Sequence, residues 1–156
     1  MDELAPNADR FAPLAPEQVE KWANFGAWDR TYFPSVVGVK LEEMRTDYAR
    51  MRLPYRAELN QPAGVVHGGA LATLIDTVVV PAVGGAYPEV PVMLTLSMTV
   101  NYVGAVVGED AVAEGWVIRR GRSIVFCEVE VRTASARLAA TASLVYQVRP
   151  AVDPAG

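Results

Sequence analysis

The chain alternates between apolar and polar positions in its two ends and stops alternating in the middle. Residues 60–87, NQPAGVVHGGALATLIDTVVVPAVGGAY, are almost wholly apolar or small from Ala63 onward. The run is long enough for a helix, and the pairs Gly68-Gly69 and Gly84-Gly85 punctuate its ends. Pro81 lacks an amide proton and predicts a kink or an end near that point. Ahead of this run, 36–44 and 47–57 read as two strands, the second with Pro54 as a sign of an edge or a bulge. Behind it come four strand-like runs, 92–103, 110–120, 123–133 and 137–148, joined by short turns. In the third of these, Val125, Cys127, Val129 and Val131 share one face, which makes the cysteine a small buried hydrophobe. Pro16, Glu17 and Gln18 open a short helix whose Trp22 and Phe25 pack on the core. The order strand, strand, long helix, four strands predicts one curved antiparallel sheet around a helix that is apolar on all sides. Residues 1–35 are expected to be an arm and short helix on the domain, 36–148 the domain itself, and 149–156 an unstructured tail.

The apolar run carries chemistry. It holds the chain's only histidine, His67, and one carboxylate, Asp76. An acid among Leu, Ile and Val is costly to bury unless something pairs or uses it. The first amides of a helix lack internal partners and carry a partial positive charge. Gly68 and Gly69 leave those amides uncovered by side chains, so a ligand oxygen has room to approach, as in an oxyanion site. Asp76 follows Gly68 by eight residues, roughly 12 Å along a helix axis. One carbonyl group cannot touch both within one helix. If the two cooperate, the acid comes from another copy, most simply across a symmetric dimer of antiparallel helices.

Composition narrows the function. At 156 residues, half of them hydrophobic, the chain is sized for one globular domain. A net charge of −4 with no basic run gives no support for nucleic-acid binding. The glycines, Pro81, His67 and Asp76 argue against a membrane span in the central run. One cysteine excludes an internal disulfide framework and fits a reducing cytoplasm, and no signal pattern opens the chain. With one histidine and one cysteine, no His/Cys zinc site assembles within a chain.

The element order, together with GVVHGGALATLID, resembles the hotdog fold, and more narrowly the phenylacetate-degradation (PaaI-like) group of acyl-CoA thioesterases. LSMTVNYV after the helix, the RRGRS hairpin and ARLAATASLVY as the last strand add to the likeness, which covers roughly 36–148. The resemblance implies a dimer or dimer of dimers with composite sites, no cofactor, and coenzyme A as part of the substrate. It implies Asp76 as nucleophile or general base and Gly68 N–H as the group polarising the thioester carbonyl. Gln61 or its neighbour Asn60 assists there, and His67 orients the amide or stabilises the departing thiol. Thr95 on the following strand positions water. Val66, Gly69, Asn101 and Tyr102 are candidates to line the substrate pocket, with core or sheet-ladder roles equally open for Asn101 and Tyr102. Arg119, Arg120 and Arg122, around Gly121 and beside Ser123 in a strand turn, are candidates to meet the phosphates of coenzyme A, because arginine matches phosphate geometry; the alternative is a solvated hairpin with a charged tip.

These expectations amount to hydrolysis of aryl-, short- or medium-chain acyl-CoA. The alternatives are a hydratase or dehydratase on the same fold, a non-catalytic acyl-CoA-binding protein, and a structural or partner-binding module. The hydratase uses histidine as acid/base on the acyl chain, whereas His67 sits beside the oxyanion glycines.

Overall fold

The computed structural model describes residues 3–149. Six strands form one antiparallel sheet: β1 (Lys40–Arg45), β2 (Tyr48–Leu53), β3 (Val92–Tyr102), β4 (Ala111–Arg120), β5 (Ile124–Thr133) and β6 (Leu138–Arg149). Their spatial order is β1-β2-β4-β5-β6-β3. Helix α3 (Gly68–Gly84) lies in the curve of the sheet, and the short helices α1 (Pro16–Trp22) and α2 (Phe33–Val37) precede the first strand. This is the hotdog architecture.

Leu71, Leu74, Ile75, Val78, Val79, Ala82 and Val83 recur at helical spacing and are buried against the sheet. Closeness of helix and sheet depends on Gly115 of β4, where an added Cβ would come 2.8 Å from Val78 Cγ1. On β5 the residues Val125, Cys127, Val129 and Val131 are buried on one face, as their alternation predicts.

Four local differences from the sequence reading have physical causes. The run 36–44 is not one strand: Pro34 sits in the first turn of α2, Gly38 caps its end with φ 88°, and β1 begins only at Lys40. Strand β2 stops at Leu53, directly before Pro54. Helix α3 runs three residues beyond Pro81: the proline withdraws one amide, but pairing resumes after it, with Gly85 N donating to Pro81 O at 2.9 Å. Nor is α3 enclosed on all sides. Gly69, Thr73, Asp76 and Val80, spaced four, three and four residues apart, form a stripe left partly open.

The arm before α1 is docked rather than loose. Ala5, Ala8, Tyr48 and Trp116 form a second small cluster. Buried Glu114 anchors it, accepting from Asn7 N at 3.0 Å, Asn7 Nδ2 at 3.1 Å and Tyr48 Oη at 2.9 Å. The expected tail lies outside the described residues apart from Arg149, which closes β6. Among the described residues, no helix is long and apolar enough to cross a membrane.

Candidate active site

The mouth of α3 is built by a pinned loop. His67 N donates to Leu59 O at 2.8 Å, Val66 N to Val106 O at 2.9 Å, and Gln61 N to Val65 O at 2.9 Å. His67 is the N-cap: its Nδ1 accepts from Gly69 N at 2.8 Å. In the neutral ring that assigns the proton to Nε2. The same bond spends the Gly69 amide, so Gly68 N–H is the helix-end donor without a partner among the described residues. Tyr102 Oη donates to Gly68 O at 2.9 Å, and an added Cβ on Gly68 would lie 3.3 Å from the Tyr102 ring. A side chain at this position would press on the exposed Tyr102 ring, which would have to give by a few tenths of an ångström.

Asp76 sits two turns further on, on the open stripe. Thr95 Oγ1 donates to its Oδ1 at 2.8 Å. Tyr146 Oη shares its proton between Asp76 O, at 2.7 Å, and the same Oδ1. Both donors fall on one carboxylate oxygen, so these bonds leave Oδ2 available. Burial of Tyr146, reinforced by the neighbouring Asp76 charge, pushes its phenol far above the usual range, so the hydroxyl remains a donor. Strand register explains the arrangement: Thr95 of β3 faces Tyr146 of β6, and a bulge follows at once between Thr95 and Ser97.

Within one chain, Asp76 and Gly68 open into different spaces. Asp76 lines an apolar cleft of about 380 Å³ with Phe25, Trp28, Phe33, Ala72 and Met98. Gly68 lines another, of about 450 Å³, with Val66, Gln61, Leu71 and Tyr102. His67, Gly69 and Asn60 border a third, of about 290 Å³.

The other anticipated residues divide. Gln61 is exposed and lines the same cavity as Gly68. Asn60 is largely withdrawn: its Nδ2 donates to Tyr55 Oη at 3.0 Å and its Oδ1 is buried. Asn101 is exposed on β3, opposite Thr141. Arg120 is committed inside the fold, donating to Asp47, to Tyr87 Oη at 3.1 Å and to Val83 O at 3.2 Å, with its guanidinium 5.1 Å from the Tyr87 ring centre. It has little left for a phosphate. Gly121, Arg122 and Ser123 are exposed at the hairpin tip, and Arg122 borders a separate hollow with Tyr87, Pro91 and Arg149. Cys127 is buried, which pushes its thiol up to about 12. Among the described residues no three His, Cys, Asp or Glu side chains gather as metal ligands. Two contributors have no sequence motif: Tyr146, evident only once β6 is registered on β3, and the aromatic segment 25–34.

The fold is that of the hotdog thioesterases, and comparison with known proteins agrees. Residues 63–140 match the family model described as the Thioesterase superfamily, and the chain belongs to that superfamily. A Halobacterium salinarum protein whose name assigns it provisionally to the esterases is 36% identical over 105 residues, 64% of this chain and 68% of the relative. A conserved Pseudomonas aeruginosa protein of solved structure is 27% identical with TM-score 0.72, covering 86% of this chain and 99% of its own. The Escherichia coli PaaI protein from the phenylacetic acid degradation operon shares the fold at TM-score 0.77 and 14% identity, over 87% of this chain and 96% of its own. Membership supports a thioester hydrolase in general terms.

Proposed function

We propose that the protein hydrolyses acyl-CoA thioesters at sites shared by two copies of the chain. The observation that carries this reading is the Asp76 carboxylate, fixed through Oδ1 by Thr95 and Tyr146 and facing an apolar cleft. The thioester carbonyl oxygen takes the N–H of Gly68 of the partner subunit, a donor directed at the charge that develops there. Gln61, which shares the cavity of that amide, assists; Asn60 holds the loop through Tyr55. Asp76 Oδ2 either removes a proton from the attacking water or adds to the carbonyl carbon itself. The carbon–sulfur bond then breaks, and the thiolate takes up a proton, with His67 Nε2–H as a candidate donor, to leave as coenzyme A; on the addition route a water then cleaves the acyl–Asp76 anhydride, which releases the acid and restores the carboxylate. Arg122 and Arg149, which border one hollow together with Glu89, are the cations offered to the nucleotide phosphates.

The need for a second copy is supported by the sheet edge. Strand β3 is the last in the sheet order, so one of its edges has no neighbour among the described residues. Its Val92, Leu94, Leu96 and Met98 are 40%, 48%, 54% and 38% exposed. An apolar unpaired edge is a template for another strand, and a second copy laid antiparallel covers it.

The test is thiol release from acyl-CoA by the native protein and by Asp76→Asn. The native chain is expected to release free thiol without hydrating enoyl-CoA, and the variant to fold, bind and turn over almost nothing. Near-normal turnover by the variant, or hydration without thiol release, contradicts the reading.

A further inference from the structure

Resting on that reading, we infer that the segment before the family-matched region, residues 25–34, forms one wall of the acyl pocket and selects uncharged apolar acyl groups of medium length or with an aromatic ring. The carboxylate that acts on the thioester and the rings of Phe25, Trp28 and Phe33 border one cleft. Its volume, about 380 Å³, lies in the range of small-molecule sites. A thioester carbonyl brought to Asp76 therefore directs its acyl chain among those rings.

The wall is preformed. Trp22 is buried with its ring over Gly84, where an added Cβ would collide with it. From that anchor the rings follow one another: Trp22 and Phe25 stack with centres 6.0 Å apart, Phe25 and Trp28 meet edge to face at 5.1 Å, and Trp28 and Tyr32 at 5.4 Å. Trp28 and Phe33 stay 37% and 63% exposed, so the ladder ends in surface that water covers until an apolar group replaces it.

Apart from Asp76 Oδ2, the side-chain donors of the cleft are already engaged. Thr73 Oγ1 donates to Gly69 O at 2.9 Å and Thr77 Oγ1 to Thr73 O at 2.6 Å. Asp76 is the charged residue among those lining it. A second carboxylate on the acyl chain would lie unpaired in apolar surroundings beside a like charge, which both desolvation and repulsion disfavour. A two-carbon acyl group would leave most of the cleft unfilled.

The experiment measures kcat/KM for acetyl-, octanoyl-, benzoyl- and succinyl-CoA with the native protein, Trp28→Ala and Phe33→Ala. The native chain is expected to prefer octanoyl- and benzoyl-CoA, and each variant to lower the octanoyl-to-acetyl ratio by about tenfold, as lost pocket contacts typically do. Taking the ratio within one variant cancels any general loss of folded protein. Phe33→Ala, at the more exposed position, keeps the test open if Trp28→Ala fails to fold. An unchanged ratio in the folded variants, or a native preference for succinyl-CoA, overturns the inference and leaves thioester hydrolysis standing. No thiol release from any of the four by the native protein overturns the hydrolysis reading and this one with it.

Discussion

Thr95 and Tyr146 stand opposite each other on β3 and β6, and both hydroxyls converge on one oxygen of Asp76. Two adjacent strands thus fix a carboxylate borne by the helix they enclose. Hydrogen bonds to a charged group are worth about 1.5–3 kcal/mol, so losing either donor is expected to cost roughly ten- to a hundredfold in turnover. Tyr146→Phe keeps the ring and Thr95→Ser keeps the hydroxyl. Steady-state kinetics should show kcat falling in Tyr146→Phe and Thr95→Ala with KM little changed, and most of the rate retained in Thr95→Ser. Equal loss in Thr95→Ser and Thr95→Ala would mean that the hydroxyl is not what matters.

Gln61 and Asn60 are neighbours with opposite surroundings. Gln61 is exposed in the cavity that Gly68 lines, while Asn60 is tied to Tyr55. Gln61→Ala is therefore expected to reduce kcat with an unchanged melting temperature. Asn60→Ala is expected to reduce stability by about 1–2 kcal/mol, the usual cost of losing a partly buried hydrogen bond. Denaturant melts beside kinetics separate the two, and the reverse pattern would exchange their roles.

Cys127 offers a probe of the core. Burial favours the neutral thiol and raises its titration to about 12. Below that pH the thiolate needed for disulfide exchange is scarce in the folded chain and plentiful only on unfolding, where the thiol titrates near its ordinary value, about 8.5. Labelling with an aromatic disulfide at pH 8 should track unfolding across a denaturant series. Rapid labelling of the native protein would place Cys127 at the surface.

The open edge of β3 gives the association prediction. Lysine on a strand edge opposes strand addition. Leu96 is the bulge residue, exposed and without a cross-strand partner. Leu96→Lys is expected to shift the protein toward monomer in sedimentation and to lose activity in parallel. A monomeric variant with full activity would remove the need for a second copy.

Much of this arrangement was legible in the sequence because it rests on local signals. Helical spacing of Leu71, Leu74, Ile75 and Val78 marks the central helix, the glycine pairs mark its ends, and HGG with an acid nine residues after the histidine marks the site. Tyr146 was not legible. Its role depends on which residue of β6 faces Thr95, a register set by the bulge after Thr95 and by pairing between segments about fifty residues apart. Arg120 misled for a similar reason: next to Gly121 in a turn it reads as a free cation, yet the fold brings Asp47, Tyr87 and Val83 to it. The aromatics of 25–34 read as core covers, and nothing in their spacing foretells that they meet the open stripe of α3 at Asp76.

Subunit mixing tests the shared site most directly. Gly68→Pro removes the amide proton at a first helical position whose backbone suits proline, with the exposed Tyr102 ring yielding slightly to the new carbons, and Asp76→Asn removes the carboxylate. Each variant alone should be nearly inactive. If the acid and the amide of a site come from different chains, a mixed dimer places both lesions in one site and restores the other. An equimolar, re-equilibrated mixture should then recover about a quarter of native activity, since half of its dimers are mixed and each has one working site of two. A mixture no more active than its components, with mixed dimers demonstrably formed, would contradict a site built across two chains.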